Sequence, residues 1–373
     1  MGGPAVSEFQ RRDLLGGVAA GALVGMFAGP ALAAESPAPD ELQFRFPLEQ
    51  QKPKAGNGGV AREASVTEFP ISRGIAGVSM FLDPGSLREL HWHANAAEWG
   101  YVVSGRCRTT IYDPEGNSEV NDFEAGDLWY FPRGHGHSIQ GIGDEPCHFI
   151  LVFDNGAFSE FATFSVTDWI GHTPAEVLAK QFNLPSQTFA SWPKSEVYFA
   201  KGPVPQGPPP DTGAEPPLTH RFRLLSQEPQ AYPGGEMYLA TVQKFPIAKT
   251  ISGGVMTLEP GALREMHWHP NADEWQYVIS GRFRMTVFAS KGRARTVEMG
   301  PGDVGYVPMG MGHYLENIGQ EECHVLIAFN AGDYQEIGLL GWLDSNPDQV
   351  VATNFSLSPD IVEKFPREIF LVR

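Results

Sequence analysis

The sequence predicts an all-β protein built of two tandem antiparallel barrels of the jelly-roll kind, each followed by short helices. Three observations predict this. The stretch Leu87-Arg88-Glu89-Leu90-His91-Trp92-His93, with Glu98 five residues further on, returns 176 positions later as Leu263-Arg264-Glu265-Met266-His267-Trp268-His269 with Glu274. Gly126-Asp127-Leu128-Trp129-Tyr130-Phe131-Pro132 through His137 returns at the same offset, as Gly302-Asp303-Val304-Gly305-Tyr306-Val307-Pro308 through His313. Between these motifs lie short β-branched and aromatic segments closed by Gly/Pro turns, the pattern of small antiparallel barrels. At 373 residues, with 42 Gly, 31 Pro and 24 Phe, the chain is long enough for two cores and rich in turn residues.

Residues 1–34 read as an export signal. Arg11-Arg12-Asp13-Leu14-Leu15 precedes an apolar, small-residue run, and Ala31-Leu32-Ala33 matches an A-x-A cleavage pattern. The paired arginines resemble a twin-arginine signal, which implies export of a folded chain. The run is too short and glycine-rich for a membrane span, so no stable membrane association is expected after its removal. Residues 35–66, with four prolines and Gly56-Asn57-Gly58-Gly59, are expected as an extended arm carrying one short strand at 42–46.

The first barrel is expected over 67–200. Apolar strands at 77–82, 101–103, 107–112, 127–131 and 149–153 each end in a turn such as Asp83-Pro84-Gly85 or Pro132-Arg133-Gly134. Thr173-Pro174-Ala175-Glu176 predicts a helix to Phe182 with Thr173 as its cap. Residues 201–217 hold seven prolines and are expected as a semi-rigid linker and domain boundary. The second barrel, 218–373, repeats the plan, with helices opening at Pro347 and Pro359. One departure breaks the duplication: Trp342 follows Trp169 by 173 residues, not 176. The connection at 154–164 is therefore three residues longer than its counterpart, which marks it as a functional loop.

The net charge of −17 excludes a nucleic-acid partner, which requires a basic face. It offers no general attraction to an anion, so an anionic substrate needs local cations. Three cysteines are too few for a disulfide framework; Cys107, Cys147 and Cys323 read as buried small hydrophobes.

His91 and His93 are two apart on a predicted strand and so share one face. Glu98 returns from the following turn, and His137 arrives from a distant strand. Three imidazoles and one carboxylate form a metal-ligand inventory that leaves positions open on a six-coordinate ion. His267, His269, Glu274 and His313 repeat it. His135 has Met311 as its repeat partner and reads as a non-ligand; His148, His324, His172 and His220 lie outside any motif. By donor type the sites also suit iron, nickel or zinc.

Gly85-x5-His91-x-His93-x4-Glu98-x6-Gly105 and Gly126-x5-Pro132-x-Gly134-x2-His137 resemble the two cupin motifs, and both recur in the second half. The chain therefore resembles a bicupin. The longer stretches quoted above, with Ser165-Val166-Thr167-Asp168-Trp169 and Glu274-Trp275-Gln276-Tyr277, resemble the bacterial and fungal oxalate decarboxylases. That resemblance implies conversion of oxalate to formate and carbon dioxide, manganese at both sites (two per chain), dioxygen as co-catalyst, and a trimer or hexamer. It implies that Arg88 binds and polarises oxalate, that Arg264 is its substrate-binding counterpart, and that Glu160 on the 154–164 lid accepts and returns a proton. A protonated lid acid would point to acid conditions. The family's Ser-Glu-Asn lid pattern is Ser159-Glu160-Phe161-Ala162 here, so Phe161 either excludes water or alters closure. Chemistry is expected at the first metal. The competing readings are an oxalate oxidase giving carbon dioxide and peroxide, and a non-catalytic or other-substrate metal-binding bicupin.

Overall fold

Strands such as Arg106–Tyr112 alternate buried and exposed residues, whereas Asp127–Phe131 and Cys147–Phe153 are buried along their whole length. The difference comes from what lies on each face. Cys147, Phe149, Leu151 and Phe153 point into the first barrel, while Ile150 and Val152 belong to a core shared with the second. A strand covered on both sides carries a continuous apolar run.

The computed structural model describes residues 42–366 and 370–372; the predicted export signal lies outside them. Each barrel closes from two antiparallel sheets. In the first, one sheet runs Arg221–Arg223, Asp127–Phe131, Glu98–Ser104, Cys147–Phe153, Ala76–Leu82, Gly59–Ala64, Lys54–Gly56. The other runs Phe164–Ser165, Ser86–Trp92, Gly136–Ile142, Arg106–Tyr112, Ser118–Glu124, with Phe199–Lys201 also paired to Ser86–Trp92. The second barrel repeats both.

Two expected boundaries move. Residues 54–64, expected in an arm, form a hairpin turning at Asn57-Gly58 and pair with Ala76–Leu82, so the barrel begins before 67. Asn57 and Gly58 both take positive φ, which suits a tight hairpin turn. The strands that open the two halves are also exchanged. Arg45–Pro47 pairs with Asp303–Val307 of the second barrel, and Arg221–Arg223 pairs with Asp127–Phe131 of the first. The 201–217 segment is tied to the first barrel through Ser118 N–H to the Ala214 carbonyl and Thr212 Oγ1–H to the Ser118 carbonyl. The barrels interlock further where the Trp275 ring lies against Gly77; a Cβ there would sit 2.2 Å from the ring.

Helices form at Val166–Gly171, Ala175–Phe182, Leu339–Asp344, Asp348–Phe355 and Pro359–Val362. The predicted Thr173 cap is not made: Pro174 occupies the cap position, and Thr173 Oγ1 donates to the Trp169 carbonyl. Among the described residues, no helix is long and apolar enough to cross a membrane. All three cysteines are free and buried.

Candidate metal centres

Arg88 and His91 are three apart, and in a regular strand they would face opposite sides. A β-bulge puts them on one side. His137 pairs with His91 and Ile139 with Arg88, so two residues of Gly136–Ile142 span three of Ser86–Trp92. The second barrel carries the same bulge, with His313 against His267 and Leu315 against Arg264. Parity does not predict this; the bulge is what gathers arginine and histidines in one interior.

His91, His93, Glu98 and His137 each place a ligand atom within 4.8 Å of the others, all buried, and His267, His269, Glu274 and His313 do the same. Ring orientation is set from behind. His91 Nδ1 meets the Glu89 carbonyl at 2.6 Å and His137 Nδ1 the His135 carbonyl at 2.9 Å. A ring that gives its Nδ1–H to a carbonyl presents Nε2 as a lone pair. In the first cage the Nε2 atoms of His91, His93 and His137 and Oε2 of Glu98 are buried without a hydrogen-bond partner. Convergent orphaned acceptors are costly unless a cation joins them, so this donor set fits a metal ion. Burial, then Arg88 and the neighbouring imidazoles, push the His91 pKa well below its usual value, keeping the ring neutral for ligation. The other carboxylate oxygen, Glu98 Oε1, accepts a 2.6 Å bond from Trp129 Nε1.

The 154–164 loop, expected as a lid, lies over this cage. Glu160 is fully buried in a short 3-10 turn, Glu160–Ala162. Its carboxylate accepts from Arg88 Nε at 2.7 Å and lies 3.1 Å from His93 Nε2. Burial pushes its pKa up, but the Arg88 guanidinium is the largest of the influences that outweigh this and hold it at about 2. Glu160 is thus held as a carboxylate in this closed arrangement, the form able to accept a proton. Arg88 is also fully buried, stacked on the Tyr198 ring at 3.9 Å, with Nη1 and Nη2 both unpartnered. Phe153 and Phe158 lie against His93, and Phe131 against His137, forming an apolar wall. Phe161 packs edge-on to Tyr198 and anchors the lid.

Glu63 belongs to none of the motifs, yet it reaches the site. Its carboxylate accepts from Ser159 Oγ at 2.8 Å, Glu160 N–H at 2.5 Å and Phe161 N–H at 3.4 Å, so it holds the lid backbone. Burial pushes its pKa up to about 7, partly countered by these donors. The signal was available: the repeat partner of Glu63 is Leu239, in the half whose loop is shorter.

The second cage differs in three ways. Glu274 Oε2 lies 2.9 Å from both His269 Nε2 and His313 Nε2. Its Oε1 accepts from Gln276 at 2.7 Å, where the first cage uses Trp129. The repeat partners, Gly100 and Gly305, leave the room: a Cβ at Gly100 would meet the Trp129 ring at 2.1 Å. Finally, Arg264 Nη2 is taken by Glu336 at 2.6 Å, leaving Nη1 as its unpartnered guanidinium nitrogen. The adjoining cavity is about 10 Å³, room for one water beside Met237, Met256 and Ile327.

His148, outside any motif, stacks on Phe81 and bonds Ser79; His172 is exposed on a helix end.

The cupin family model matches residues 47–189 and again 222–363. The chain is 45% identical over 333 residues to the oxalate decarboxylase of Bacillus subtilis, covering 87% of this chain and 85% of that protein. It is 35% identical over 319 residues to a probable oxalate decarboxylase of Arthroderma benhamiae, covering 83% and 78%. A solved structure of the Bacillus subtilis enzyme, from work on its Mn(II) centres, superposes with a TM-score of 0.83 at 44% identity, over 88% of each chain. With two barrels, two cages of three histidines and one glutamate, and similarity running through both halves, the chain belongs to the bicupin oxalate decarboxylase family.

Proposed function

We propose that this protein decarboxylates oxalate to formate and carbon dioxide at the first cage, with manganese in both cages and dioxygen as co-catalyst. The observation that carries this reading is the pairing of Arg88 and Glu160 beside His91, His93, Glu98 and His137. Two unpartnered guanidinium nitrogens form a fork matched to a carboxylate, and the neighbouring Glu160 carboxylate is a proton acceptor.

Manganese held by the four ligands would supply a hard Lewis-acidic centre and, with dioxygen, the redox capacity to draw electron density from oxalate. The chain's own groups do the rest. Arg88 Nη1 and Nη2 bind one carboxylate of hydrogen oxalate and orient it. Glu160 takes the proton from substrate oxygen and later gives it to the carbon left after carbon dioxide departs. The carbon–carbon bond breaks, a carbon–hydrogen bond forms, and the overall change is redox-neutral. The Phe153, Phe158 and Phe131 wall limits water around the site. For substrate to enter, Glu160 must leave its place against Arg88 and His93, so the lid opens once per turnover.

The second cage is read as structural or electron-transferring, because Glu336 already occupies Arg264. A trimeric or hexameric assembly is supported by repeated exposed apolar side chains: Trp169, Val177 and Phe182 after the first barrel, and Trp342, Val350 and Phe355 after the second. Export by the twin-arginine route is supported by Arg11-Arg12 and the A-x-A site; fractionating cells that carry an Arg11→Lys/Arg12→Lys double variant tests it.

The reaction is tested by incubating purified protein with oxalate under air and measuring formate and peroxide together. Formate as the main product supports the proposal. Peroxide with two carbon dioxides per oxalate would establish the oxidase reading, and neither product would leave a binder or another substrate.

A further inference from the structure

Five histidine ring nitrogens among the described residues are buried with no hydrogen-bond partner. Three belong to the first cage; the others are His135 Nδ1 and His220 Nε2. These two rings approach each other at the rim of the first barrel, with centroids 6.0 Å apart. They line an open cavity of about 680 Å³ together with Asp113, Glu115, Arg133 and Lys249.

His220 has the attributes of a prepared ligand. It is 2% exposed, and its Nδ1 lies 2.7 Å from Glu119 Oε2. The Glu119 carboxylate also accepts from the His220 backbone N–H at 2.8 Å and from Thr219 Oγ1. An acceptor to these donors, Glu119 takes the Nδ1–H as well, which leaves Nε2 as a bare lone pair. A histidine whose far nitrogen is tied to a carboxylate is the usual arrangement behind a metal bond. An acceptor out of reach of solvent and without a donor is otherwise costly.

The duplication supplies a control within the same chain. His135 corresponds to Met311, and His220 to Phe44, and the backbone around the pair is the same in both barrels: Tyr130 N–H donates to the His220 carbonyl as Tyr306 N–H does to that of Phe44. In the second barrel Phe44 and Met311 simply pack in the apolar core. Glu119, Asp113 and Glu115 correspond to Arg295, Ala289 and Lys291. Two imidazoles and three carboxylates thus stand where the twin barrel has apolar and basic residues, and the fold does not require them.

We propose that His135 and His220 form a third, peripheral metal site that takes one borderline divalent cation of the zinc or copper class. Imidazole nitrogen suits such ions better than manganese. The rings of the first cage stand 4.2 to 5.0 Å apart, so an ion spanning the wider pair has a more open bond angle, with waters from the cavity completing its shell. Asp113 and Glu115 supply negative field rather than bonds. His220 precedes the exchanged strand Arg221–Arg223, so the ion would pin the crossing segment to the first barrel.

The test is a metal count on the full-length protein, loaded with manganese and dialysed against zinc. Total transition metal per chain is read, so exchange within the two cages does not alter the result. Wild type should hold three ions. His220→Phe, which installs the residue the other barrel carries at this position, should hold two. Glu119→Gln should keep the third ion with roughly ten-fold weaker affinity. Added zinc should raise the unfolding temperature of manganese-loaded wild type, and not that of His220→Phe. A wild-type count of two, or a third ion that survives His220→Phe, overturns the site. If His220→Phe does not fold, the Glu119→Gln titration decides: unchanged zinc affinity there overturns it as well.

Discussion

Arg88 and Arg264 are repeat partners with opposite commitments. Arg88 gives Nε to Glu160 and keeps both terminal nitrogens free, while Arg264 gives Nη2 to Glu336. Charge-assisted hydrogen bonds contribute about 1.5–3 kcal/mol each, so losing the two that Arg88 gives to oxalate should lower kcat/KM for Arg88→Ala by roughly 10²–10⁴-fold. Arg264→Ala should cost much less; equal losses in steady-state kinetics would contradict a single working site. Glu160→Ala should nearly abolish formate while metal content stays unchanged. Trp129→Phe removes the donor to Glu98 Oε1 and should weaken manganese binding by about 10–100-fold, read by competition with a chelator.

The lid and the bulged strand are the elements on which the site depends. Glu63 fastens three lid groups at once, and Glu63→Leu, which copies the residue of the second barrel, should free the loop. Faster amide exchange across 159–163 and a lower share of formate among the products are the expected results. Glu63 also has a pH signature. Its carboxyl titrates near 7 in the folded protein, against 4.5 as the ordinary value. Between those two values the folded chain holds a proton that the unfolded chain has lost, so stability falls as pH rises through this window. The full shift corresponds to about 3 kcal/mol. Glu63→Gln should flatten that stretch of the melting-temperature profile, and an unchanged slope would remove Glu63 as its cause.

Across the whole molecule, the exchanged strands tie the two barrels together through one shared core. Phe44 and Phe46, from the start of the chain, lie in a core that also holds Trp275, Tyr306 and Tyr130. Truncating a buried phenylalanine to alanine costs about 3–5 kcal/mol, so Phe44→Ala should lower the unfolding temperature. Because the core crosses both barrels, calorimetry should still record one transition. Two separated transitions would mean that each half folds alone.

The duplication, its offset of 176 and its one gap at the lid were legible in the residues, because a repeat preserves the order of ligands and turns wherever they fold. So were the two His-Glu sets and the buried cysteines. Other features depend on which strands become neighbours. The alternation rule separates Arg88 from His91; a bulge one residue long reunites them, and its presence is a property of pairing with Gly136–Ile142. Neither the exchange of opening strands nor the hold of Glu63 on the lid follows from local pattern, since the partners lie 258 and 97 residues away. Composition names the groups available for chemistry, but the register between distant strands sets which of them share a face, and therefore which can act together.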